Sequence, residues 1–157
     1  QPVTTKMYGA QATGCNPITD CVKSGRDRHK PVRRPDTICK SLAIGDPADG
    51  AFAAKLIRDS GGWGDDVSDA EIVDGMLLLA QTEGIFAETA GGTTVAVAKK
   101  LIDSGRIPRD EEIVLCITGN GLKTADVVAP YVGFAATIPP KLDSVEQFPT
   151  AQEGVLV

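Results

Sequence analysis

No apolar run in this chain is long enough to cross a bilayer, and no secretory signal is expected. Aromatic residues make up only 4% of the sequence, which leaves little for base stacking. Charge of one sign is not concentrated anywhere. The net charge is −5 with acids and bases interleaved, which argues against nucleic acid and anionic membranes as partners. The one basic cluster, Arg26-Asp27-Arg28-His29-Lys30 with Arg33-Arg34, is diluted by Asp27, Pro31 and Pro35 and reads as a solvated loop. Histidine occurs once, at position 29, and no two of the four cysteines have C-x-x-C spacing. A Cys/His metal site is therefore not expected. Cys116 lies in an apolar run and reads as a small core residue. No G-x-G-x-x-G stands between a strand and a helix, which disfavours a nucleotide-binding Rossmann domain. A reduced, cytoplasmic protein is expected, or a plastid one if the source is a plant. Gln1 rather than Met opens the chain, so the expectation is that it begins partway into a longer product.

What is present is enough for one domain. A chain of 157 residues buries roughly 70% of its unfolded surface. Met7 to Ala12 reads as a short buried strand. Asn16 then Pro17 open a helix over 17–24 that Gly25 stops. A Pro- and Arg-rich loop covers 26–36, and an apolar segment covers 38–44. A helix over 51–59 puts Phe52, Leu56 and Ile57 on one face. After a turn at 61–64, Val67 is a brief strand. Ser68 and Glu71 form a capping box for a helix with Ile72, Val73, Met76, Leu77 and Ala80 inward, ended by Gly84. A helix over 92–104 buries Val95, Ala98, Leu101 and Ile102 and stops at Gly105. A strand over 112–117 follows. Residues 1–127 form the α/β domain, and 128–157 is a Pro-containing, extended tail. Alternating strands and helices of this length imply a parallel, twisted sheet with flanking helices.

Ile113-Val114-Leu115-Cys116-Ile117 empties into Thr118-Gly119-Asn120-Gly121. Ligands of α/β enzymes sit at the carboxyl ends of parallel strands, where glycine lets backbone approach. The loop offers backbone N–H groups and one hydroxyl, and no acid. A plain Asn-Gly turn is the competing reading. Two more small-residue loops, at 45–50 and 88–92, also follow apolar segments, and all three are expected to converge on one sheet edge. Glu88 is the acid among them.

These pieces, collinear over residues 6–125, resemble the second half of the threonine synthase family, pyridoxal-phosphate enzymes of the tryptophan-synthase-β type (fold type II). The matching text is Tyr8-Gly-Ala-Gln-Ala, Lys23-Ser-Gly-Arg-Asp, Ala43-Ile-Gly-Asp-Pro-Ala, Val67-Ser-Asp-Ala-Glu-Ile-Val, Thr82-Glu-Gly-Ile-Phe-Ala-Glu, Ala90-Gly-Gly and Thr118-Gly-Asn-Gly-Leu-Lys. The resemblance implies part of the large cofactor-binding domain, with pyridoxal 5'-phosphate as cofactor. It puts the Thr118 hydroxyl against the pyridine nitrogen, with Gly119 beside it. Gly45 falls where backbone passes the ring, and Glu88 falls on a loop near the ring. A hydroxyl, unlike a carboxylate, does not hold the ring nitrogen protonated. Glu88 also reads as an ordinary acid at a helix start. Thr89 stands where the family has proline, and its hydroxyl is a candidate helix cap.

The same resemblance implies that the Schiff-base lysine and the phosphate loop lie before Gln1, so no catalytic residue is expected in this chain. The implied parent reaction converts O-phosphohomoserine and water to threonine and phosphate. The implied partners are that substrate and either a missing N-terminal half or further copies of the chain. A fragment of a related threonine or serine dehydratase and a non-catalytic stand-alone module are the alternatives.

Overall fold

The computed structural model describes residues 4–133 and 137–146. Its sheet is a parallel pair, β1 (Gly9–Ala12) and β2 (Gly64–Val67), with Gly9 opposite Gly64 and Ala12 opposite Val67. Helices α1 (Pro17–Lys23) and α2 (Gly50–Asp59) connect the strands. After β2 come α3 (Asp69–Glu83), α4 (Thr89–Asp103), α5 (Ala125–Val128) and α6 (Leu142–Glu146). Alternation along the strands assigns the two faces. Gly9 and Gly64 present bare Cα atoms to Thr19 of α1, and Gly9 also meets Ile57 of α2. Ala12 and Val67 instead join Ile72, Met76, Val97 and Leu101 in the main core with α3 and α4. The α/β architecture with a parallel sheet and flanking helices is thus present.

Helix α1 starts at Pro17 as expected, but the Asn16 side chain does not cap it. Gln11 in β1 does so instead. Its Oε1 accepts from the N–H groups of Ile18 and Thr19, both at 2.9 Å. Helix α2 corrects the expected face. Phe52 and Leu56 are exposed, and the buried positions are Gly50, Ala54 and Ile57. On that i, i+4, i+7 stripe Ala54 and Ile57 pack with Cys21 and Val22 of α1, and Gly50 lies against His29. Helix α3 has the expected ends and buries Ile72, Val73 and Met76, but Leu79 is buried where Leu77 and Ala80 were expected, and those two are half-buried. The Ser68–Glu71 capping box is complete, and Gly84 ends the helix at φ 67.

Helix α4 begins at Thr89, three residues before the expected start, so Gly91 and Gly92 are helical rather than loop. They serve packing. A Cβ on Gly92 would meet the Ile72 carbonyl oxygen at 2.5 Å, and one on Gly75 would overlap the Gly92 carbonyl. Glycine at this crossing lets α3 and α4 approach backbone to backbone.

The segment 112–117 is not a strand. A strand exists only through a paired neighbour, and among the described residues no strand lies beside it. Val114 is 90% exposed, and Cys116 is exposed rather than buried in a core. The segment 38–44 holds a short 3-10 turn, Lys40–Leu42. The tail read as extended contains α6, and its positions 134–136 and 147–157 lie outside the described residues.

Candidate cofactor site

The loop after Ile117 and the loop before α4 are tied together by backbone. Ala87 and Asn120 form an antiparallel bridge. The Glu88 N–H donates to the Gly119 carbonyl at 3.0 Å, and the Gly121 N–H donates to the Phe86 carbonyl at 2.9 Å. Asn120 then turns the chain. Its Oδ1 accepts from the Leu122 N–H at 2.9 Å and caps a 3-10 turn, Gly121–Thr124. Asn120 and Gly121 therefore do hold a turn, and that turn presses the loop onto Phe86. A Cβ on Gly121 would reach 2.5 Å from the Phe86 ring.

Glu88 lies beneath this loop. It is only 5% exposed, and it occupies the N-cap position of α4 without capping it by its side chain. A Cβ on Gly119 would overlap its Oε1, so only glycine fits above the carboxylate. Oε2 lies 2.7 Å from Nζ of Lys123. Thr89 does not cap the helix either. Its hydroxyl is buried and has no hydrogen-bond partner among the described residues, while its carbonyl accepts from the Thr93 hydroxyl at 2.9 Å.

Of the four residues expected at a cofactor, the structure thus brings Glu88 and Gly119 into contact, with Thr118 next in the chain. Thr118 is exposed, and its hydroxyl bonds to no other group among the described residues. It is available to an acceptor such as a ring nitrogen, so the donor set present fits a pyridoxal cofactor. Gly45 is placed differently. Its carbonyl accepts from the Val32 N–H at 2.9 Å, and its Cα faces the Val32 carbonyl. Next to it, Asp46 meets Nε2 of His29 at 2.8 Å. The contacts of Gly45 are with the 26–36 segment, which buttresses the loop rather than standing free in solvent. Sequence reasoning missed Lys123. A lysine two residues past a glycine loop has no visible acid until the bridge between Ala87 and Asn120 is known.

A second polar cluster sits at the carboxyl end of the sheet. Lys23 of α1 pairs with Asp65 at 2.5 Å and with Asp66 of β2, and the Thr13 hydroxyl donates to Asp66 at 3.0 Å. Lys100 of α4 donates to the Asp66 carbonyl at 2.8 Å. Burial is the largest single influence and works against the charge on both aspartates, but Lys23 together with the Asp66 N–H and Lys100 for Asp65, and with Thr13 and Asn16 for Asp66, holds both below the usual carboxylate range. Burial likewise opposes the Lys23 charge, and the two carboxylates overcome it and raise the ammonium above an ordinary lysine. The cluster is internally neutralised and ties α1, β2 and α4 together.

A parallel strand pair with helices on both faces, and a glycine loop held over a buried acid, form the frame of an α/β domain. The chain belongs to the family of pyridoxal-phosphate-dependent enzymes, whose family description, "Pyridoxal-phosphate dependent enzyme", matches residues 1–119. Among curated relatives, the threonine synthase of Methanocaldococcus jannaschii is 42% identical over 121 residues, which cover 77% of this chain and 30% of that protein. That of Methanosarcina acetivorans is 36% identical over 142 residues, covering 90% of this chain and 35% of that protein. The chain spans about a third of the length of these relatives. Among solved structures, maize serine racemase superposes with a TM-score of 0.62 at 17% identity, over 78% of this chain and 37% of that one. A fungal L-serine ammonia-lyase from Rhizomucor miehei gives 0.58 at 19% identity, over 72% and 36%. The fold is accordingly that of the fold type II pyridoxal-phosphate enzymes.

Proposed function

We propose that this chain forms the C-terminal part of the cofactor domain of a threonine synthase, which converts O-phosphohomoserine and water to threonine and phosphate. The observation that carries the reading is the Thr118 loop, clamped onto buried Glu88 with its hydroxyl free. The threonine synthases among its relatives support the substrate. The bound cofactor supplies an electron sink for the carbons of an amino-acid substrate.

The residues of this chain orient that cofactor. Thr118 donates its hydroxyl to the ring nitrogen and leaves it uncharged. Gly119 keeps the loop free of a side chain and lets Glu88 sit directly below it. The Gly45 loop, braced by Val32 and His29, brings backbone to the ring. The Schiff-base lysine and the phosphate-holding loop lie outside the chain. The protein works in the cytoplasm, or in a plastid, and the chain joins an N-terminal half or copies of itself.

The test is phosphate release from O-phosphohomoserine. The 157-residue chain alone is expected to release none, and the full-length enzyme is expected to turn over. Thr118→Val in the full-length enzyme should lower the rate at least about tenfold. Turnover by the isolated chain, or an unchanged rate in T118V, overturns the reading.

A further inference from the structure

Lys123 has no place in the scheme above, yet it makes the one ion pair of Glu88 among the described residues. We propose that Lys123 is a positioning residue that cancels the charge of Glu88 and thereby keeps the cofactor's ring nitrogen at Thr118 unprotonated. The inference rests on the reading that Thr118 faces that nitrogen.

The geometry requires some such counter-charge. The Glu88 side chain is 7% exposed, so water reaches its carboxylate only slightly. A bare carboxylate in that setting favours positive charge on any basic nitrogen nearby. Thr118 is adjacent to Gly119, whose Cα lies against Glu88 Oε1. A hydroxyl that leaves a ring nitrogen uncharged would be opposed by an uncompensated acid lying against its neighbour Gly119. The N-terminus of α4 offers only about half a positive charge, not a whole one. Lys123 supplies a whole positive charge at 2.7 Å. Its side chain is 64% exposed, so it is Glu88, and not burial, that holds the ammonium in place. The pair presents a dipole to the site in place of a charge, and its field falls off faster with distance.

The experiment loads the full-length enzyme with cofactor carrying nitrogen-15 in the ring and follows that resonance with pH. The wild-type resonance is expected at the unprotonated position at neutral pH. Lys123→Met should move it toward the pyridinium position. Lys123→Arg and the double variant K123M/E88Q should return it, since each restores neutrality, whereas a merely structural role for Lys123 would not be repaired by E88Q. Lys123→Gln removes the charge but keeps a hydrogen bond, and it gives the same displacement if K123M does not fold. A resonance in K123M or K123Q that stays at the wild-type position overturns the proposal. Thr118→Val separates the two claims: if it leaves the wild-type resonance unmoved, the reading of Thr118 fails instead.

Discussion

Gly92 of α4 lies on the backbone of Ile72 in α3, so close that a methyl group at Gly92 would stand 2.5 Å from the Ile72 carbonyl oxygen and from Met76 Cγ. Two effects oppose each other in Gly92→Ala. Alanine in a helix interior is favoured over glycine by about 1 kcal/mol. The Met76 side chain has room to adjust, but the Ile72 carbonyl is backbone and moves only with the whole helix. Overpacking of this kind costs about 1–3 kcal/mol. The net expectation is a loss of up to about 2 kcal/mol, because the Ile72 carbonyl cannot move aside, read from the urea midpoint of the chain at an unchanged slope. A midpoint equal to or above wild type would show that α3 and α4 do not touch as described.

The Lys23 cluster sets a pH dependence whose sign follows from its shifts. Asp65 and Asp66 are held low in the folded state, so their contribution is present above the unfolded value of about 4 and is lost as pH falls through the lower, folded value. Lys23 is raised, so its contribution is present below about 10.4 and is lost as pH rises through the folded value. Stability from this cluster is therefore flat across neutral pH and declines at both extremes. Lys23→Met leaves Asp66, which is 9% exposed, without its cation. The expected loss at pH 7 is about 1–3 kcal/mol, below that of a fully buried pair because Lys23 is about a third exposed. Urea titrations at several pH values check this. The acid limb in K23M should be shallower than in wild type.

Gln11 caps α1 from β1, and this link joins strand to helix through one side chain. Gln11→Leu removes the acceptor for two N–H groups, one of them on fully buried Thr19. The expected cost is about 1–2 kcal/mol. Gln11→Glu keeps the acceptor oxygen and adds charge at a helix start, so it should recover most of the loss. Thermal melts of the three proteins decide it. If Q11L melts with wild type, the first turn of α1 finds its partners elsewhere.

What the sequence made legible was local. The capping box at Ser68 and the glycine stop at Gly84 are read within a few residues, and both stand as expected. The Asn16 cap looked equally local, but a glutamine five residues earlier displaced it, because β1 runs alongside the start of α1. Gly91 and Gly92 look like loop glycines until α3 is laid against them, since a close helix crossing leaves no trace in spacing along one helix. At the site, the resemblance placed Glu88 and Gly119 in one loop cluster, and the backbone bridge at Ala87 and Asn120 joins them. Lys123 was invisible for the converse reason, as its partner is fixed by that bridge alone. The strand expected over 112–117 had the right composition, but composition cannot provide the neighbour that a strand needs.

That segment yields a sharp contrast between two of its own residues. Val114 is 90% exposed, whereas Ile117 packs against Leu79, Ala87 and Val95. Apolar character alone would rank the two positions as equals. The structure makes Val114→Lys nearly neutral for the stability of this chain, within about 0.5 kcal/mol. Ile117→Ala is expected to cost about 1–2 kcal/mol, less than a fully buried isoleucine because Ile117 is only partly covered. It should also loosen the loop that follows, so amide exchange at Gly119 and Gly121 should speed up in I117A and stay unchanged in V114K. Denaturation together with amide exchange on the 157-residue chain makes the comparison. A V114K variant as unstable as I117A would mean that the segment is paired along its whole length, as a strand, rather than anchored only at Ile117.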